Sequence, residues 1–143
     1  MTVYYDSSAL LKIYIQEEYS DFIRNSILNN QFNNISTLSY IEIHSVFSRL
    51  FNNFQISKDE LIFLKESFNH DFKIFLQIPI DIRLIKRASE LTYLTNLRTL
   101  DSIHLATIEF LKFSTDEEFL FACFDKKLMD AAISLGINIL QPR

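Results

Sequence analysis

Short apolar segments alternate with helix-length segments along nearly the whole chain, and this alternation limits the fold more than any other feature of its 143 residues. Val3 to Asp6, Ile35 to Leu38, Leu76 to Ile80, Phe119 to Phe124 and Ile137 to Leu140 read as strands, with helical patterns between them. Parallel neighbours need crossover connections, which helices supply. The pattern therefore predicts an α/β fold: a central parallel sheet of four to five short strands flanked by helices on both faces. One domain over residues 1–143 is expected, since a chain of this length can bury about two-thirds of its unfolded surface.

Helix starts are marked by capping residues. Asp6 or Ser7 can cap a helix through S-S-A-L-L-K-I-Y-I, Ser57 and Glu60 form a capping box, Asp81 opens a helix to about Asn96, and Asp125 opens one that Gly136 ends. A further helix runs from about Glu18 to Leu28, and the polar stretch Asn29 to Asn34 reads as a connection. Ser39 leads into a long helix to about Asn52, where Ile43, Val46, Phe47, Leu50 and Phe54 recur at helical spacing and are expected to face a core. Thr99 or Asp101 opens the helix that reaches about Phe113.

Charge and composition exclude several functions. With 48% apolar residues, 14 Phe and a single Gly, the chain is too hydrophobic to be disordered. A net charge of −4 argues against broad electrostatic binding to nucleic acid, which depends on Lys and Arg. Lys12, Arg49, Lys86, Arg87, Arg98, Lys126 and Lys127 form no dense basic run and read as a solvated surface. Cys123 is the only cysteine, which leaves no internal disulfide and suits buried packing. No stretch approaches the roughly 20 apolar residues of a membrane helix, and no signal segment precedes the first strand, so a cytoplasmic location is expected.

Four acids carry the functional signal. Asp6 and Asp125 fall at strand ends, Asp101 starts a helix, and Glu42 lies early in another; in open parallel sheets the crevice outside the carboxyl ends of the strands is where chemistry is placed. Each has a plain structural explanation: Asp6, Asp101 and Asp125 can be N-caps, and Ser39 with Glu42 has capping-box spacing. If they converge they need a partner of opposite charge, since at roughly 4 Å two carboxylates oppose each other by about 4 kcal/mol at an effective dielectric near 20. A divalent cation is the implied partner.

The motifs D-S-S-A-L-L-K-I-Y, Y-I-E-I-H-S, L-D-S-I-H-L-A-T and F-D-K-K-L-M-D-A-A, in this order, resemble the PIN-domain family, most closely its small toxin branch, usually called VapC-like. The resemblance implies a three-layer PIN-like fold and a metal-dependent endoribonuclease. Asp6, Glu42, Asp101 and Asp125 match its catalytic, metal-holding acids, and Ser8 the hydroxyl that helps arrange the metal shell. It implies one or two Mg²⁺ or Mn²⁺ ions, with Asp6 and Asp101 as direct ligands and Asp125 and Glu42 acting partly through water. It further implies an RNA substrate (tRNA, rRNA or mRNA), a cognate antitoxin protein, a homodimer and a toxin–antitoxin hetero-oligomer. Cys123 departs from the pattern, which often has Thr or Ser there.

The remaining polar and aromatic residues read as structural. His44 and His104 are expected to be hydrogen-bonded helix residues and His70 exposed, while Phe47, Phe51, Phe54, Phe63, Phe68, Phe72 and Phe75 suit a core or a dimer surface. The competing reading is a catalytically silent PIN-like module that binds RNA or a protein without cutting.

Overall fold

All neighbouring strands run parallel, so every connection between them must cross the sheet, and the helices do this on both faces. The computed structural model describes residues 1–142. The elements are β1 (Thr2–Tyr5), α1 (Ser7–Leu11), α2 (Ser20–Asn29), β2 (Phe32–Ser36), α3 (Leu38–Asn52), α4 (Lys58–Phe72), β3 (Leu76–Ile78), α5 (Ile82–Thr95), α6 (Thr99–Phe113), β4 (Phe119–Ala122), α7 (Lys126–Ser134) and β5 (Asn138–Ile139). The strands lie in the order β3-β2-β1-β4-β5. The first strand is therefore central, and Tyr5 pairs with both Ile35 and Ala122.

Alternation along β1 sends its side chains into two cores. Val3 and Tyr5 pack with Leu10, Ile23, Ile43, Phe47, Leu64 and Phe68 from α1 to α4. Tyr4 points the other way, joining Phe119 and Phe121 of β4 and Leu91, Leu105, Ile108 and Leu128 from α5 to α7. These two apolar layers on either side of one sheet are the predicted three-layer arrangement.

Four expectations are corrected. β2 starts three residues earlier than predicted, because the polar pair that read as connection is bonded within the fold: Asn33 accepts from the Tyr5 hydroxyl and Asn34 donates to the Val3 carbonyl. Ser39 and Glu42 form no capping box; α3 begins at Leu38 after Thr37, without a side-chain cap. Phe54 faces solvent, 95% exposed, because α3 has already ended. The N–H of Phe54 donates to the Phe51 carbonyl and that of Gln55 to the Leu50 carbonyl, a Schellman closure that sets Phe54 at φ 59. The same closure ends α7 with the sole glycine, Gly136, at φ 78. Lys12 is not a solvated surface charge, being only 8% exposed.

Candidate active site

The C-terminal edge of the central strands positions two of the acids through helix capping. Asp6 follows β1 and donates its N–H to the Ala122 carbonyl (3.1 Å), which extends the β1–β4 ladder to the start of α1. Its Oδ1 accepts from the Ala9 N–H (2.9 Å) and from the Ser8 hydroxyl (2.7 Å), and the residue is 3% exposed. Asp125 follows β4 and caps α7, its Oδ1 accepting from the Leu128 N–H (2.9 Å). The cap reading therefore holds for these two residues, and it leaves both at the C-terminal edge of the sheet. The Ser8 hydroxyl donates to Asp6 and accepts from the Phe124 N–H (3.4 Å).

Asp101 is not a cap. It lies in the first turn of α6, whose N-cap is Arg98, so the helix dipole favours its negative charge without a capping bond. Its carboxyl is nonetheless held above the usual range, first by burial and then by the charges of Asp125 and Asp6, with Glu42 adding and His104 opposing. The folded chain therefore brings all four acids into one electrostatic neighbourhood from four separate elements. Asp6 is raised as well, mainly by burial, against His104, the Ala9 N–H, Ser8 and Cys123.

Glu42 differs from the other acids. Burial works to raise it, but His104 and Ser7 outweigh burial and hold it below its ordinary value. Its Oε1 accepts from the Ser7 hydroxyl (2.6 Å) and from His104 Nε2 (2.7 Å). His104, 2% exposed, contacts the Tyr4 hydroxyl through Nδ1 (2.7 Å), and Ser7 also meets the Ser39 hydroxyl (3.0 Å). Burial lowers the His104 pKa; the hydrogen bond and charge of Glu42, then Asp6 and Asp101, overcome this and raise it. Tyr4, Ser7, Ser39 and His104 thus form a relay around Glu42 that sequence reasoning missed. Two signals pointed to it: Ser7 sits inside the D-S-S motif, and His104 follows Asp101 by three residues on one helix face. His44, as expected, is a hydrogen-bonded helix residue (Asn69 Oδ1, 2.8 Å), and His70 is exposed.

The donor set is made of oxygens, which suits Mg²⁺ or Mn²⁺ over zinc. Among the described residues, one oxygen in each of Asp6, Glu42 and Asp125 takes all the N–H and O–H bonds made to that carboxylate, and the other takes none. Among the described residues, no group of three or more His, Cys, Asp or Glu side chains is placed closely enough to hold a metal ion as it stands. The acids are linked through their charges, as the effect of Asp125, Asp6 and Glu42 on Asp101 shows. Cys123 is buried beside Asp6, and burial with the Asp6 charge pushes its thiol far up, so it is a packed group and not a nucleophile.

Comparison with known proteins sharpens the fold. No family model matches the chain, and no curated protein matches it by sequence. Solved structures do. One is a toxin–antitoxin complex from Klebsiella pneumoniae (14% identity, 87% of this chain and 88% of that chain, TM-score 0.65). Another is FitAcB from Neisseria gonorrhoeae (11% identity, 97% and 96%, TM-score 0.71). A third is VapC20 from Mycobacterium tuberculosis, described as a sarcin–ricin loop cleaving toxin (11% identity, 98% and 99%, TM-score 0.70). At these identities the likeness concerns architecture: the chain shares the three-layer α/β fold of these structures.

Proposed function

We propose that this chain is a metal-dependent endoribonuclease, the toxin of a toxin–antitoxin pair that cuts tRNA, rRNA or mRNA and so inhibits translation. The observation that carries the reading is one of placement: Asp6 and Asp125 cap helices at the C-terminal edge of the central strands, and Asp101 lies in the first turn of α6 near enough to them that burial first, and then the charges of Asp125 and Asp6, hold its carboxyl up. Four acids from separate elements crowding one sheet edge, with no basic side chain but His104 among those causes, are suited to a divalent cation. The neighbours' printed descriptions, a toxin–antitoxin complex and a loop-cleaving toxin, agree with it.

Asp6, Asp101, Asp125 and Glu42 would hold Mg²⁺ or Mn²⁺, which supplies Lewis-acid charge for phosphodiester hydrolysis. Asp6 is aimed by its cap bond and Ser8, and Asp125 by its cap bond. Glu42 is held by Ser7 and His104, which both bond to Oε1. Partners in this reading are an RNA substrate, a cognate antitoxin and a second copy of the chain.

The silent-module reading has one observation in its favour, the pairing of Glu42 with His104, which diverts a carboxylate into a structural bond. One experiment decides between them: total RNA incubated with wild type or Asp101→Asn in Mg²⁺, Mn²⁺ or EDTA. Discrete fragments from wild type alone, and only with metal, are expected. RNA left intact by the wild type under all conditions refutes the nuclease.

A further inference from the structure

Tyr19, in the turn before α2, and Phe124, between β4 and Asp125, form a stacked pair with centroids 5.4 Å apart and planes 18° from parallel. The Lys12 ammonium lies over the Phe124 ring, 4.6 Å from its centroid. The backbone of Phe124 links this stack to the acids. Phe124 precedes Asp125, and its N–H donates to the same Ser8 hydroxyl that donates to Asp6.

The turn that carries Tyr19 is pinned from within. Lys12 Nζ donates to Glu17 Oε1 (3.1 Å) and to the Glu18 carbonyl (2.8 Å). The Ser20 hydroxyl accepts from the Glu17 N–H (2.9 Å) and donates to the Ile15 carbonyl (3.1 Å). Tyr19 itself stands at φ 67, in the left-handed region that a bulky residue adopts only under constraint, and its side chain is still 43% exposed. Tyr19 rests on Phe124, which packs against the α1–α4 core, and its ring is still partly open to solvent. A fixed turn holding an aromatic face beside a phosphodiester-cleaving site has the properties of a preorganised stacking surface.

We propose that the Tyr19–Phe124 stack seats an unpaired nucleobase of single-stranded RNA, next to the phosphodiester held at the acids. The inference rests on the ribonuclease reading above and adds to it a preference for unpaired over paired nucleotides. Every base has a π-face, so the platform tolerates any of them.

The chain contains no Trp, so Tyr19→Trp places a single tryptophan in the stack. In an Asp101→Asn background, which leaves RNA uncut, labelled oligouridylate should quench this emission in step with binding followed by anisotropy. Tyr19→Gly suits the positive φ while deleting the ring. It should raise the Kd for oligouridylate about 5-fold to 150-fold, the equivalent of about 1–3 kcal/mol of stacking, and leave the Kd for an abasic oligoribonucleotide of equal length unchanged. Binding without quenching, equal losses for both ligands, or no loss for either overturns the platform. A wild type that cuts RNA together with a neutral Tyr19→Gly rejects the platform alone, whereas a wild type that cuts none with any metal rejects both readings.

Discussion

Replacing His104 with Leu removes the link between Tyr4 and Glu42 while keeping most of the buried volume. The imidazole makes two contacts of 2.7 Å from a site that is 2% exposed. Loss of the first leaves the buried Tyr4 hydroxyl without this partner, at about 1–3 kcal/mol. Breaking a fully buried ion pair costs about 3–5 kcal/mol, but the Glu42 side chain is 19% exposed and keeps Ser7, which reduces its share to about 1–2 kcal/mol. His104→Leu should therefore destabilise the fold by about 2–5 kcal/mol, a large part of a typical stability of about 5–15 kcal/mol. Tyr4→Phe alone should cost about 1 kcal/mol. Because both single variants break the same Tyr4–His104 bond, the double variant should cost about 1 kcal/mol less than their sum. Urea unfolding with an unchanged m-value measures all three. Additivity within about 0.3 kcal/mol, or a His104→Leu cost below about 1 kcal/mol, would refute the relay. The pH profile gives a second reading. The pKa of His104 is raised, so its contribution is complete below its ordinary 6.5 and is lost as pH rises through the higher folded value. Glu42 is lowered, so its contribution is present above 4.5 and is lost as pH falls through the lower folded value. Wild-type stability should fall on the alkaline side, and His104→Leu should flatten that limb.

Three other expectations follow from the site and the helix ends. Asp101→Asn should raise the melting temperature in EDTA: a raised carboxyl pKa means the ionised acid is disfavoured in the fold, a cost present above the folded pKa and removed as pH falls below it. A lower melting temperature in EDTA would contradict the crowding of charges. Mn²⁺ at about 100 times its Kd should stabilise wild type by about 2.7 kcal/mol, and Asp101→Asn by less, in differential scanning fluorimetry. Equal shifts would place the ion elsewhere. Phe54→Gly puts the favoured residue at the φ 59 position that closes α3 and should stabilise the fold by about 1 kcal/mol in urea unfolding; a loss would show that the exposed ring is used in the folded protein.

The sheet was legible because its strands are apolar runs bounded by caps, and Asp6, Asp81, Ser57 and Asp125 cap helices where the sequence places them. The position of two acids was legible as well, since Asp6 and Asp125 follow the apolar runs that become β1 and β4. What local patterning could not supply were bonds between distant residues. Ser39 and Glu42 have capping-box spacing, yet Ser39 turns to Ser7 and Glu42 to Ser7 and His104, partners 32 to 62 positions away. Asn33 and Asn34 read as a turn because their bonds to Tyr5 and Val3 depend on strand pairing. Phe54 kept the helical spacing of its neighbours and fell outside the helix by two residues, a boundary that periodicity does not fix.

The central place of β1 sets the order in which the molecule can be completed during synthesis. Tyr5 pairs with Ala122, so one flank of the innermost strand stays open until 117 further residues have been made. At about 5–20 residues per second this is a wait on the order of 6–23 s, during which an apolar strand edge is available to chaperones or to wrong partners. The same geometry delays the assembly of the acids. A nascent or truncated chain lacking β4 and α7 lacks Asp125 and the backbone carbonyl that seats Asp6, and so cannot assemble the acid cluster at all. Whatever chemistry the acids perform is withheld until β4 and Asp125 have been made.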